Sequence, residues 1–371
     1  MRVLFTAVPI HGHLLPLLPL AEAVAAAGDD VAFAVPESLT GLVGGLPVLP
    51  AGPGVDDLLA ENDRRTGGAD MHSGFEPVAE LFAGTLVDTS FDAALRRARE
   101  FGAEVVVADE YDTIGPMVAA TLGVPLVRHA VGLPVSPPEL GPAMQARLAP
   151  RYAARGLARP ARLALVDLWP PALHGPGWVA ARDRLAIRPR AYTGTEPFDL
   201  PAPAGFRVLV TLGTVLLEAG PLDALVDAVA ALDNVDVLAT VPAGLPRSLA
   251  DARANVRFVG FVPIAQLLDA GVSVVLAAGG AGTVLAALSR GIPMVLWPKG
   301  AEKPQNAERV VAAGAGIAID DPARAAEAVA EVLREPSYRR HAERVAAQIA
   351  EAPDPAAVWA ALRPRIGAAG T

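Results

Sequence analysis

The stretch VSVVLAAGGAGTVLAALSRG, residues 272–291, decides the fold. Its first seven residues are apolar apart from Ser273 and do not alternate, which suits a strand buried on both faces of a helix-covered parallel sheet. Two glycines end that run, and a helical stretch follows until Gly291 stops it. Gly279, Gly280 and Gly282 let the backbone come close to a ligand, and Thr283 stands at the helix start. The free N–H groups and positive dipole end of such a helix favour an anion, phosphate above all. The same glycines would also serve a plain tight strand-to-helix turn. Read as a dinucleotide fingerprint, GAGTVL lacks the third glycine, and the next strand, IPMVLW (292–297), ends without an acid. A nicotinamide cofactor is therefore not expected.

Working outward, the same strand type recurs at RVLVTLG (207–213), VDVLATV (235–241), VRFVGF (256–261), IPMVLW and GIAI (316–319), with helical stretches between most of them. An earlier series runs through RVLFTAV (2–8), VAFAV (31–35), EVVVAD (104–109), the helical TIGPMVAATLG and VPLVRH (124–129). Strands alternating with helices twice over predict an α/β protein with two doubly wound parallel sheets. The expected division is a first domain over 1–190, a proline-rich linker over 191–205, a second domain over 206–337 and C-terminal helices over 338–371. Segments 50–77 and 132–178 read as irregular excursions that shape a variable binding site in the first half.

At 371 residues and 52% hydrophobic content the chain is long enough for two cores. A net charge of -9 argues against nucleic acid as a partner, because phosphate backbones call for clustered positive charge. Any anionic ligand must be met locally. The absence of cysteine excludes disulfides, thiolate nucleophiles and Cys-ligated metals. The histidines show no HExxH spacing. No secretory signal and no membrane span are legible, so the expected compartment is the cytoplasm. The oligomeric state, homodimer included, is left open.

Further candidates accompany the glycine turn. Gly213 and Thr214 stand at the carboxyl end of the second half's first strand, where ligands of open α/β sheets bind. Phe261 offers a face on which a base could stack, with the backbone around Val262 free to read its edge. Each alone reads as easily as core packing.

Taken together, the GHLLP turn after the first strand, NVRFVGFVP, GGAGT and QNAERV, in this order from Gly12 to Val310, resemble the family one glycosyltransferases. The likeness is to the bacterial enzymes that decorate natural products with nucleotide-activated deoxysugars. It implies a GT-B architecture: two Rossmann-like domains facing a cleft, acceptor held mainly by the first and nucleotide sugar by the second, with the C-terminal helices crossing back onto the first. The small-molecule acceptor and the nucleotide sugar, dTDP- or UDP-linked, are then the partners, and no cofactor beyond that co-substrate is implied. The family's base aligns with His13, whose imidazole can take a proton near neutrality. Asp109 matches a carboxylate that orients it. Without the resemblance, His13 reads as a residue capping or packing beside a helix start, and Asp109 as a strand-end acid. No Asp-x-Asp triplet occurs, so a metal-dependent design is not expected and no metal ligands are assigned.

Two departures stand out. Relatives usually carry a histidine where this chain has Ala278, and PQGADQ where it has PKGAEK (298–303). Glu302 and Lys303 thus replace an Asp-Gln pair that hydrogen-bonds the donor sugar, Lys299 replaces a further Gln, and the two lysines are the only ones in a chain whose 29 other Lys or Arg residues are all arginine. Three readings stay open: a lysine supplies the charge that Ala278 lacks, a lysine selects an unusual sugar, or the donor site has drifted into a silent binding homologue. A sugar-nucleotide epimerase of the same shape is a weaker candidate, because its chemistry calls for more acids and cations than the sequence offers.

Overall fold

A computed structural model describes residues 1–70, 74–133, 139–194, 198–213, 219–241 and 254–369. Two six-stranded parallel sheets organise the chain. The first comprises β1 (Arg2–Thr6), β2 (Asp30–Ala34), β3 (Val105–Asp109), β4 (Leu126–His129), β5 (Arg162–Asp167) and β6 (Arg184–Ala186), in the order β2-β1-β3-β4-β5-β6. A single parallel bridge from Val48 to Phe33 extends it beyond β2. The second comprises β7 (Phe206–Thr211), β8 (Val235–Thr240), β9 (Val256–Val259), β10 (Val272–Ala277), β11 (Met294–Leu296) and β12 (Gly316–Ala318), in the order β12-β11-β10-β7-β8-β9. In each sheet the strand order reverses beside the first strand, between β1 and β3 and between β7 and β10. The crevice at the carboxyl ends of such a pair is where open α/β sheets bind ligands.

The unbroken apolar strands are buried as their composition requires. Val105 to Asp109 are all at 0% exposure, and so are Val274 to Leu276. Helices on both faces complete two separate cores. In the first, Gly115 lets the helix Ile114–Leu122 come close to the sheet: a Cβ there would lie 2.2 Å from Thr6 Oγ1 and 2.7 Å from the Ala108 Cβ.

Three sequence expectations need correction. Segment 132–178 is not wholly irregular, since it carries the helix Leu140–Ala153 and β5. RLALVD is a strand hidden by its proline-rich surroundings. Segment 50–77 likewise contains the helix Val55–Thr66. The third concerns the division of the chain. One compact unit comprises Met1–Leu168, Val179–Ile187 and Pro353–Thr371; the other comprises Trp169–Trp178 and Arg188–Ala352. The C-terminal helices therefore separate. Pro336–Glu351 stays with the second unit, burying Ala342, Val345 and Ile349 there. Only Pro355–Ala369 joins the first, where it packs on the helix Leu18–Ala26 and on β5. Its anchor is Asp29, whose carboxylate accepts hydrogen bonds from Trp359 Nε1 at 2.9 Å, Arg363 Nε at 2.9 Å and the Met1 amine at 2.9 Å.

Among the described residues no helix is long and apolar enough to cross a membrane.

Candidate active site

In the first unit, β1 runs out at Thr6 and a short helix, His11–Leu14, begins after Ile10. This turn delivers His13 to the switch point, and β3 ends there on Asp109. His13 Nδ1 lies 3.0 Å from Asp109 Oδ1. Asp109 is wholly buried and accepts three further hydrogen bonds: Val8 N to Oδ2 at 2.6 Å, and Tyr111 N at 2.7 Å and Asp112 N at 3.0 Å to Oδ1. Burial alone would push this carboxyl up. The charge and hydrogen bond of His13, the Val8 amide and the Arg128 guanidinium outweigh it and hold Asp109 below the usual carboxylate range. A carboxylate can only accept, so Nδ1 carries the proton and Nε2 is the basic nitrogen of His13.

Rings surround that imidazole. Its centroid is 5.6 Å from Tyr111, edge-on, and 5.9 Å from Phe82, whose own centroid is 6.0 Å from Tyr111. Phe82 lies in a π-helical turn, Leu81–Thr85, and its carbonyl accepts a hydrogen bond from Thr113 Oγ1 at 2.6 Å. Such turns are often kept where a side chain must be aimed. Neither ring was singled out from the sequence, because aromatic residues between helical stretches carry no spacing signal of their own.

Arg128 on β4 acts on the carboxylate by its charge and holds the adjoining loop, donating from Nη1 to the Asp112 carbonyl at 2.9 Å and from Nη2 to the Glu110 carbonyl. Burial and the neighbouring Asp109 charge push Asp112 up; its carboxylate accepts from Ile114 N at 2.8 Å and Gly115 N at 2.9 Å, capping the helix that follows. His129, opposite Asp109 in the register of β4, is fully buried and brought down to about 4, which keeps it neutral; its Nδ1 donates to the Ala130 carbonyl at 2.7 Å.

In the second unit the glycine turn follows β10. Gly279 has φ +89° and Gly280 is the N-cap of the helix Ala281–Leu288. A Cβ on Gly279 would lie 3.3 Å from the Lys303 carbonyl and 3.8 Å from the Lys303 Cβ. Asn306 Nδ2 donates to the Gly279 carbonyl at 2.9 Å, tying the turn to the helix Lys303–Ala312. Gly282 is exposed and Thr283 partly so, both in the first turn of their helix. Across the switch point Gly213 follows β7 with φ +79°. Thr214 lies outside the described residues. Phe261 is 60% exposed and Val262 half-buried, beyond β9 and thus two strands from β7 in the sheet order.

Ala278 differs from its assignment. It is 2% exposed and belongs to the apolar core with Leu212 and Trp297, so it presents no contact surface. The lysines separate as well: Lys299 is exposed with its ammonium 5.2 Å from the centroid of Trp297, whereas Lys303 is 8% exposed at the start of its helix, with Glu302 as N-cap. Among the described residues no group of three or more His, Asp or Glu side chains is placed to hold a metal ion.

Comparison with known proteins agrees with this architecture. Residues 223–363 match the family model described as erythromycin biosynthesis protein CIII-like, C-terminal domain. The chain is 32% identical over 389 residues to the elloramycin glycosyltransferase ElmGT of Streptomyces olivaceus, covering 99% of this chain and 98% of that one. Among solved structures it superposes on spinosyn rhamnosyltransferase SpnG with a TM-score of 0.84 at 26% identity, covering 98% of this chain and 100% of that one. SpnG is also known with spinosyn aglycone bound. Against SsfS6 of Streptomyces sp. SF2575, complexed with thymidine diphosphate, the TM-score is 0.82 at 30% identity, with coverage of 98% and 99%. The fold is GT-B and the protein is a glycosyltransferase. The chain belongs to the bacterial natural-product glycosyltransferases of family one.

Proposed function

We propose that this enzyme transfers a sugar, a deoxysugar, from its thymidine diphosphate ester to a hydroxyl of a small natural-product acceptor, with inversion and without a metal ion. The observation that carries the reading is the His13–Asp109 pair at the first switch point. His13 Nε2 takes the hydroxyl proton as the acceptor oxygen bonds to the anomeric carbon, and the bond from that carbon to the diphosphate breaks on the opposite face. Asp109 stabilises the imidazolium that forms. The leaving diphosphate is received by the N–H groups of the glycine turn and the positive end of the helix Ala281–Leu288. Phe82 and Tyr111 flank His13 with apolar faces suited to the skeleton of a flat or hydrophobic aglycone. The thymidine diphosphate bound by SsfS6 and the aglycone bound by SpnG support this choice of partners. No cofactor enters the scheme.

The test is transfer from a TDP-sugar to a panel of polycyclic aglycones, in the presence and absence of a chelator, with the anomeric configuration of the product read by NMR. Retention of configuration, or activity abolished by the chelator and restored by a divalent cation, would overturn the mechanism. Failure of the protein to bind TDP at millimolar concentration would overturn the donor assignment.

A further inference from the structure

The helical run from Glu76 to Phe101 is not uniform: the π-helical turn Leu81–Thr85 stands between the helices Glu76–Glu80 and Leu86–Phe101. A π turn takes in one residue more than an α turn, which displaces what precedes it by about 100° about the helix axis. Phe82 lies inside that turn, so the angle at which its ring meets His13 depends on the turn being kept. We infer that Glu80 keeps it and is therefore a positioning residue for the acceptor: its carboxylate, seated over Gly84 and held by Arg147, sets the aim of Phe82 beside His13. This rests on the reading that lays the aglycone against Phe82 and Tyr111.

Gly84 is buried, and a Cβ there would lie 2.5 Å from Glu80 Cδ and 2.7 Å from Glu80 Oε2. The carboxylate thus fills the space that any side chain at 84 would need. Cations from two other helices hold it there. Arg147, on the helix Leu140–Ala153, donates from Nε to Glu80 Oε2 at 2.8 Å, and Arg65, on the helix Val55–Thr66, brings Nη1 to 3.5 Å from Oε1. Both guanidinium groups are anchored in turn: Arg147 donates to Glu76 Oε2 at 2.7 Å and to the Ala143 carbonyl at 3.1 Å, and Arg65 donates to Asp88 Oδ2 at 2.8 Å. With its side chain 19% exposed, Glu80 belongs to a network rather than to an isolated surface pair, the arrangement in which ion pairs constrain geometry. The rest of the turn is fixed as well. Thr85 Oγ1 donates to Oδ1 of the wholly buried Asn62 at 3.1 Å, and the Phe82 carbonyl is tied to Thr113 on the loop that follows Asp109. Phe82 is only half-buried, so its side chain can still meet a ligand.

The experiment measures acceptor KM and kcat for transfer from a TDP-sugar to a polycyclic aglycone, together with the proton resonance of the His13 ring, identified by its loss in His13→Ala. The full chain is compared with Glu80→Ala, Glu80→Gln, Gly84→Ala, Phe82→Ala and the double variant of Glu80→Ala with Phe82→Ala, each checked for folding by circular dichroism. Glu80→Ala removes the carboxylate and Gly84→Ala displaces it. Both should raise acceptor KM by about fivefold or more, with a smaller change in kcat, and shift the His13 resonance through the moved ring. Glu80→Gln keeps an oxygen that accepts from Arg147 and should stay near wild type in both readouts. On the Phe82→Ala background Glu80→Ala should add nothing, because its effect passes through that ring. A KM increase as large on that background as on wild type would overturn the inference, since Glu80 would then act by loosening the helices at large. So would an unchanged KM and an unmoved His13 resonance in Glu80→Ala and Gly84→Ala. If Phe82→Ala leaves acceptor KM unchanged while Glu80→Ala still moves the His13 resonance, the placement of the aglycone fails and the control of Phe82 by Glu80 stands, so the two readings fail separately.

Discussion

Asp109 Oδ1 and His13 Nδ1 stand 3.0 Å apart across 96 positions of sequence, one at the end of a strand and the other in the first turn of a helix. What brings them together is the strand order, since β1 and β3 are neighbours at the switch point. With three backbone amides also fixed on the carboxylate, the imidazole is held in one tautomer and has little freedom to turn.

If His13 removes the acceptor proton, His13→Ala lowers turnover by about 10² to 10⁴ and leaves TDP affinity nearly intact. Asp109→Asn acts on the same step, so the two losses combine less than additively in a double-mutant cycle. The acid limb of the rate profile supplies a second readout. A neutral residue at 109 no longer stabilises the imidazolium, which then gives up its proton at lower pH, and the limb moves toward acid. A wild-type rate in His13→Ala, or an unmoved limb in Asp109→Asn, contradicts these assignments.

Much of this was legible in the sequence. VVVA (105–108) and VVLAA (274–278) announced buried parallel strands because their apolar residues run on without polar alternation, and the glycines at 279 and 280 marked where backbone must turn sharply. The departures have local causes. RLALVD is flanked by ARPA and LWPP, and those prolines hid a strand paired on both edges. Ala278 stood beside the glycine turn in sequence, but whether its side chain faces ligand or core depends on packing with Leu212 and Trp297, which no local pattern encodes. Phe82 and Tyr111 meet His13 only through tertiary packing.

Arg128 is a positioning residue. It holds the carbonyls of Glu110 and Asp112 on the loop whose amides bind Asp109. Arg128→Met keeps the stem but removes the charge, leaving the Glu110 and Asp112 carbonyls without this donor and Asp109 without its second cation. The expected cost is about 3 to 5 kcal/mol in urea unfolding. Turnover should fall further than TDP affinity, since the residues proposed to hold the donor belong to the other sheet. Equal loss in both would point to general unfolding.

Gly115→Ala tests the close approach beside the site. The new methyl would overlap Thr6 Oγ1 and the Ala108 Cβ, pushing the helix Ile114–Leu122 off the sheet together with the Asp112 cap. A destabilisation of about 1 to 3 kcal/mol is expected. An unfolding midpoint equal to wild type would show that the helix yields freely.

Asp29 gives a prediction with a defined pH window. Burial alone would raise its pKa, but the hydrogen bonds from Arg363, the Met1 amine and Trp359 bring it down to about 2, against an ordinary value of 3.8. A carboxyl depressed on folding contributes stability that is complete above the unfolded value and is lost as pH falls through the folded one. Here that window runs from about 4 down to about 2. Asp29→Asn should therefore cost about 2 kcal/mol near neutrality. At pH 3 about half of the carboxylate's contribution is gone, so the gap between wild type and variant narrows accordingly. Because Trp359 and Arg363 belong to Pro355–Ala369, hydrogen exchange in that helix should accelerate in the variant before exchange in β10 does. The same gap in urea midpoint at pH 7 and pH 3 would mean that packing of Trp359, not the charge of Asp29, anchors the C-terminal helix.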